Sequence, residues 1–211
     1  MKSIITYFLL LAVLAAHGQD RYEAAMQQQV RLLDSAGTFN PASLKALGNT
    51  FERIAEAEKT QWLPYYYAAY CLVNEAFMTE DKTKVDPIAD KASLMAEKAV
   101  ALKGEDSELS CLLSLIAVSR IAVDPMTRGA KYGAESAELL DKAKQQNPGN
   151  PRVYLLAGQN LMFTPEAFGG SKTKGKELLN VALQKFSAFK PESSISPRWG
   201  EAYTKELLKM P

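Results

Sequence analysis

The sequence predicts an all-α fold of antiparallel helix pairs packed side by side. Three observations carry this expectation. Six positions pair a capping residue with proline: Asn40-Pro41, Asp86-Pro87, Asp124-Pro125, Asn150-Pro151, Thr164-Pro165 and Ser196-Pro197. A polar side chain at the cap accepts free amides of the first turn, and proline at the next position lacks an amide that would be unpaired anyway. Apolar residues recur at helical spacing along most of the chain, and no run of alternating β-branched residues suggests a strand. Small residues also recur at matching places in successive segments, which signals a repeat.

The chain has 211 residues, with 25 Lys and Arg against 24 Asp and Glu. This near-neutral balance argues against a nucleic-acid binder, which shows a basic excess or stripe. The first segment reads as an address. Lys2 supplies a positive start, Ile4 to Ala16 an apolar run, and Ala16-His17-Gly18 a small-x-small cleavage signal. Residues 1–18 are therefore expected to be a secretory signal peptide. The apolar run is shorter than the ~20 residues that a membrane span needs. With no cysteine near the cleavage point, a lipid anchor is not expected, and no later stretch is apolar enough to span a bilayer. The remaining chain, 19–211, is expected to be a single periplasmic or secreted domain.

Removing the segment takes Lys2, so Lys and Arg fall from 25 to 24 and equal Asp and Glu. It also takes His17, the only histidine. Ser-His and Cys-His nucleophile pairs are then excluded, as are His-ligated metal sites. No cofactor and no metal are expected, and the chain is read as a non-enzyme.

The helices follow in order. At 20–35, Tyr22, Met26, Val30 and Leu33 form one apolar stripe. Asn40-Pro41 starts a helix at 42–58. The next, at 62–78, holds the densest aromatic cluster, Trp62-Leu63-Pro64-Tyr65-Tyr66-Tyr67-Ala68-Ala69-Tyr70. Asp86-Pro87 starts 87–103, and Glu108-Leu109-Ser110-Cys111-Leu112-Leu113 lies in 106–122. Asp124-Pro125 starts 126–147 and Asn150-Pro151 starts 151–163. Ser171 caps 171–189, and Ser196-Pro197 starts 197–209. Cys71 and Cys111 fall mid-helix and read as buried small apolar residues; in an exported chain a disulfide between them stays open. The mixed-charge stretch Thr79–Asp90 lacks the spacing of a calcium loop. Phe168-Gly169-Gly170-Ser171-Lys172 reads as a hinge, with a weak anion site at the following helix as the alternative.

The internal similarity is specific in places. Ile54, Ala99, Ala143 and Ala182 serve as anchors late in alternate helices. Phe51, Ala96, Leu140 and Leu179 stand three residues before them. Tyr65, Ser110 and Tyr154 follow the first three anchors by eleven residues, and the small residues Ala69, Ser114 and Gly158 by fifteen. Ala92, Ser136 and Gly175 precede the last three by seven. This pattern resembles the tetratricopeptide repeat, a helix-turn-helix unit of 34 residues. The segment from Tyr154 through Gly158, Gly175, Leu179 and Ala182 matches the motif best. The resemblance covers about residues 42–190. The last three anchors are spaced by 44 and 39 residues, so the connections inside each unit are elongated.

The resemblance implies a short right-handed superhelix, closed at its ends by flanking helices at 20–35 and 197–209. It also implies that the first helix of each unit lines a concave face. Carried over residue by residue, that face includes Tyr66, Tyr70 and Asn74, then Glu108, Leu115 and Val118, then Arg152, Leu155, Gln159 and Met162. Of these, Tyr66, Tyr70, Asn74, Leu115, Val118, Leu155, Gln159 and Met162 are the candidate partner-binding residues. The leading expectation is a protein-interaction module that takes a protein or peptide segment in the cell envelope. The alternative is a small-ligand binder or an accessory to a solute transporter, with an enclosed pocket at the tyrosine cluster or near Phe168–Lys172. Whether the helix at 20–35 fills the groove stays open.

Overall fold

The computed structural model describes residues 19–35 and 39–211, and within these every regular element is helical. The signal-peptide expectation for 1–18 lies outside the described residues. We number the helices α1 (19–33), α2 (Pro41–Ala57), α3 (Trp62–Met78), α4 (Lys82–Lys103), α5 (Ser107–Ser119), α6 (Pro125–Gln146), α7 (Pro151–Phe163), α8 (Lys172–Ala188) and α9 (Glu201–Lys209). Short 3-10 turns follow α5 at Arg120–Val123 and α7 at Glu166–Phe168.

Three of the six cap–proline pairs start helices as expected. The side chains of Asn40, Asp124 and Asn150 each accept from an amide of the first turn, with proline next in line. The other three do not. At α4 the cap is Asp81, whose carboxylate accepts from Thr83 N, and Pro87 lies inside the helix. The elongated connection expected at 79–86 is thus mostly helix: a carboxylate five residues upstream of Asp86 captures the first-turn amide earlier. Thr164-Pro165 leads only into a 3-10 turn. Ser196-Pro197 lies in an irregular segment, and α9 begins later, after Gly200.

Neighbouring helices pair as α3 with α4, α5 with α6 and α7 with α8, and α2 packs closely on α3. The first helices of the three pairs also meet in series, α3 on α5 and α5 on α7. Each pair closes on the small residues of the repeat. A side chain on Gly158 would place its Cβ 2.8 Å from the carbonyl of Gly175, so α7 and α8 cross backbone to backbone. At the equivalent crossing of α5 and α6 the hydroxyls of Ser114 and Ser136 lie 2.8 Å apart, and Ala69 and Ala92 hold these positions, fully buried, in α3 and α4. Larger residues fill the space between pairs. One continuous core runs from Tyr22, Met26, Val30 and Leu33 of α1 through to Leu207 of α9.

Candidate functional site

The inner faces of α3, α5 and α7 form one surface, and along it exposure changes from end to end. In the first turns, Tyr66, Leu155 and Arg152 are fully buried. Midway along, Tyr70 and Leu115 are buried with small residual exposure, as is Met162 in the last turn of α7. In the last turns, Asn74, Val118 and Gln159 are half-buried, and Phe163 is 56% exposed.

The segment between α8 and α9, residues 189–200, causes this gradient. It crosses the first turns as a strap. Ser194 accepts from Gln27 Nε2 of α1 at 2.8 Å, and Arg198 pairs with Asp34 at 3.5 Å. Tyr67 of α3 donates to the Ile195 carbonyl at 2.9 Å. Trp199 stacks on Tyr70 at 4.8 Å between ring centroids and donates through Nε1 to the Tyr66 hydroxyl at 2.8 Å. The strap ends at Gly200, whose φ of 115° suits glycine and whose Cβ position would lie 2.8 Å from both Leu155 and Phe186.

This corrects the expectation of an open groove. Tyr66, Tyr70, Leu115, Leu155 and Met162 are core side chains: the chain's own strap lies against Tyr66, Tyr70 and Leu155, and Met162 packs on Gly175 of α8. The α1 stripe of Tyr22, Met26, Val30 and Leu33 is buried too. Asn74, Val118 and Gln159 keep the accessibility that a binding role requires. Sequence reasoning missed the strap. The expected helix at 197–209 takes in Trp199 and Gly200, whereas in the structure both belong to the strap and the helix begins at Glu201; the glycine inside that stretch is the local signal for the later start.

Beneath the strap lies a polar ladder with one rung per pair: Tyr66, Glu108 and Arg152. Arg152 Nη1 contacts Glu108 Oε1 at 2.9 Å, and the Tyr66 hydroxyl reaches Glu108 Oε2 at 3.5 Å. The guanidinium lies over the rings of Phe189 and Trp199, 4.9 and 5.0 Å from their centroids. Its Nε and Nη2 are buried without a hydrogen-bond partner. An unpaired buried donor costs about 1–3 kcal/mol, and cation–π contact offsets part of that. Burial pushes the Glu108 carboxyl above its ordinary range, although Arg152 pulls it down. Burial also drives the Tyr66 and Tyr70 hydroxyls well above theirs, so both stay neutral donors.

Other features carry less chemistry. Cys71 and Cys111 are free and buried, with thiols raised far above the ordinary value by burial. Thiolates are thus not available at neutral pH, and no disulfide joins them. Among the described residues, no group of three or more His, Cys, Asp or Glu is placed to hold a metal ion. No described helix is long and apolar enough to cross a membrane. A shallow cleft of about 470 Å³ opens between α1 and α2 beside Arg21, Tyr22 and Arg53, and another of about 210 Å³ lies beside Lys45 and Lys91. Neither lies at the strap or near Phe168–Lys172.

No family model and no curated protein matches the chain. A solved structure does: the HusA haemophore from Porphyromonas gingivalis superimposes with a TM-score of 0.80 at 36% sequence identity. The match covers 89% of this chain and 90% of the haemophore. At that identity over nearly the full length of both chains, this protein belongs to the family of the HusA haemophore.

Proposed function

We propose that this protein is an exported, non-enzymatic carrier of haem or a related porphyrin, built on a tetratricopeptide-like helical stack. The observation that carries the reading is the 36% identity to a haemophore along 89% of the chain. The cargo is a flat apolar ring with carboxylate side chains. The accessible last turns suit such a ring: Val118 offers an apolar side chain, Asn74 and Gln159 offer amides, and Phe163 offers an exposed ring. An apolar surface with a few placed polar groups is the usual composition of a small-ligand site.

The residues present bear on how iron would be treated. Haem iron is commonly held by His, Cys, Met or Tyr. Among residues 19–211 there is no histidine, and both thiols are buried and protonated. Of that set only Met and Tyr remain, and burial keeps the Tyr66 and Tyr70 hydroxyls neutral, so this reading places recognition on the ring and its carboxylates more than on the metal. Export through the segment 1–18 belongs to the same reading. A peptide-binding role loses its main support, since the strap already fills the first-turn half of the groove.

The test is an absorbance and fluorescence titration of the purified protein with haem and with iron-free protoporphyrin. Saturable binding of both, within about tenfold of each other, is the expected result. Absence of saturable binding by either would sink the reading. Binding of haem alone would sink the argument that the ring, not the metal, is recognised.

A further inference from the structure

We infer that Arg152 is the cargo's carboxylate receptor, presenting its unpaired Nε–Nη2 edge beneath the strap; this rests on the porphyrin-carrier reading. Guanidinium donors lie in the plane of the group, and two of them side by side match the two oxygens of a carboxylate. In Arg152 the Nη1 position is taken by Glu108, while Nε and Nη2 are buried with no partner. The donors left over are thus the adjacent pair that forms one intact fork.

The surroundings favour an anion of flat, aromatic character. Arg152 is the second residue of α7, so the first-turn amides of that helix add positive potential. The rings of Phe189 and Trp199 lie against the guanidinium, and Tyr66 is a neutral hydroxyl beside it. Glu108 neutralises one unit of charge but faces Nη1, not the free edge. Arg152 is fully buried. A carboxylate therefore reaches it only when Trp199 and Phe189 part from the ladder. The strap has few anchors to α3: the Tyr67–Ile195 bond, the Trp199–Tyr66 bond and the stack on Tyr70. The accessible last turns adjoin Tyr70, so a ring seated there with its carboxylate edge toward the strap would bring that edge to the Arg152 end of the face.

The experiment compares iron-free protoporphyrin diacid with its dimethyl ester, which keeps the ring and removes the charge. Both are titrated into the wild-type protein and into Arg152→Gln/Glu108→Gln, a pair chosen to leave no unpaired buried charge. The wild type is expected to bind the diacid at least tenfold more tightly than the ester, and the double variant to bind both equally. Arg152→Lys, which keeps the charge but loses the fork, is expected to retain only part of the preference. Circular dichroism checks that each variant is folded. Equal binding of diacid and ester by the wild type overturns the proposal without recourse to any variant. A preference that persists in the double variant overturns it as well. Failure of both porphyrins to bind overturns the carrier reading itself, a result distinct from the other two.

Discussion

The two ends of the face shared by α3, α5 and α7 are made by the same three helices and yet behave as different materials. In the first turns of α3, α5 and α7, Tyr66 and Arg152 lie fully buried under a strap, with the half-buried Glu108 between them. In the last turns, Asn74, Val118 and Gln159 meet solvent. The local sequence is not what separates them, for both halves mix apolar and polar residues. The separation comes from twelve residues after α8 that return across one half only. A groove in a helical stack is thus a surface that the rest of the chain either fills or leaves.

The strongest way to break this comparison is at the ladder. Arg152→Leu strands the Glu108 carboxylate in the interior, and loss of one partner of a buried ion pair costs about 3–5 kcal/mol. Adding Glu108→Gln is expected to recover most of it. Urea denaturation of the single and double variants measures both. A loss below 1 kcal/mol in the single variant would show that the covered half is not sealed.

Next in size is the end of the strap. Gly200→Ala forces a side chain into a positive φ and against Leu155 and Phe186. Strain and overpacking of this kind cost about 1–3 kcal/mol. A neutral result in thermal denaturation would mean that the strap is not held where it lies.

A third effect follows from Trp199→Phe, which keeps the stack on Tyr70 and removes the bond to the Tyr66 hydroxyl. The expected loss is about 0.5–1.5 kcal/mol by urea denaturation. Stability unchanged from wild type would remove that bond from the strap's anchors.

The covered half also carries a pH signature. Glu108 and Asp34 are both raised by burial, from ordinary values of 4.5 and 3.8. A carboxyl raised in the folded state binds more protons there than in the unfolded chain. Each one's contribution therefore falls as pH rises from its ordinary value through its folded value, and is flat above. Glu108→Gln removes its share of this slope, which denaturation between pH 4 and 8 would read. An unchanged slope would place Glu108 in water.

The smallest effect on stability belongs to the open half. Asn74→Ala and Gln159→Ala should each change unfolding by less than about 0.5 kcal/mol, as surface substitutions do. Under the carrier reading the same variants weaken porphyrin binding severalfold. Loss of stability without loss of binding would reverse the assignment of the two halves.

The sequence by itself determined the helices and the way they pair. Apolar spacing is local, and so are the caps at Asn40, Asp124 and Asn150. The small residues at Gly158, Gly175, Ser114 and Ser136 declare a close crossing wherever they face one another. It also showed that residues 19–211 lack histidine, which constrains any treatment of iron. Local reasoning failed where two local signals competed. Asp81 captured the start of α4 ahead of Asp86, and Pro87 was carried inside the helix. Only the tertiary structure decided which side chains of the concave face are accessible. Trp199 meets Tyr66 across 133 residues and Tyr67 meets Ile195 across 128. No periodicity or cap encodes such contacts, because burial there depends on where a distant, irregular segment comes to rest.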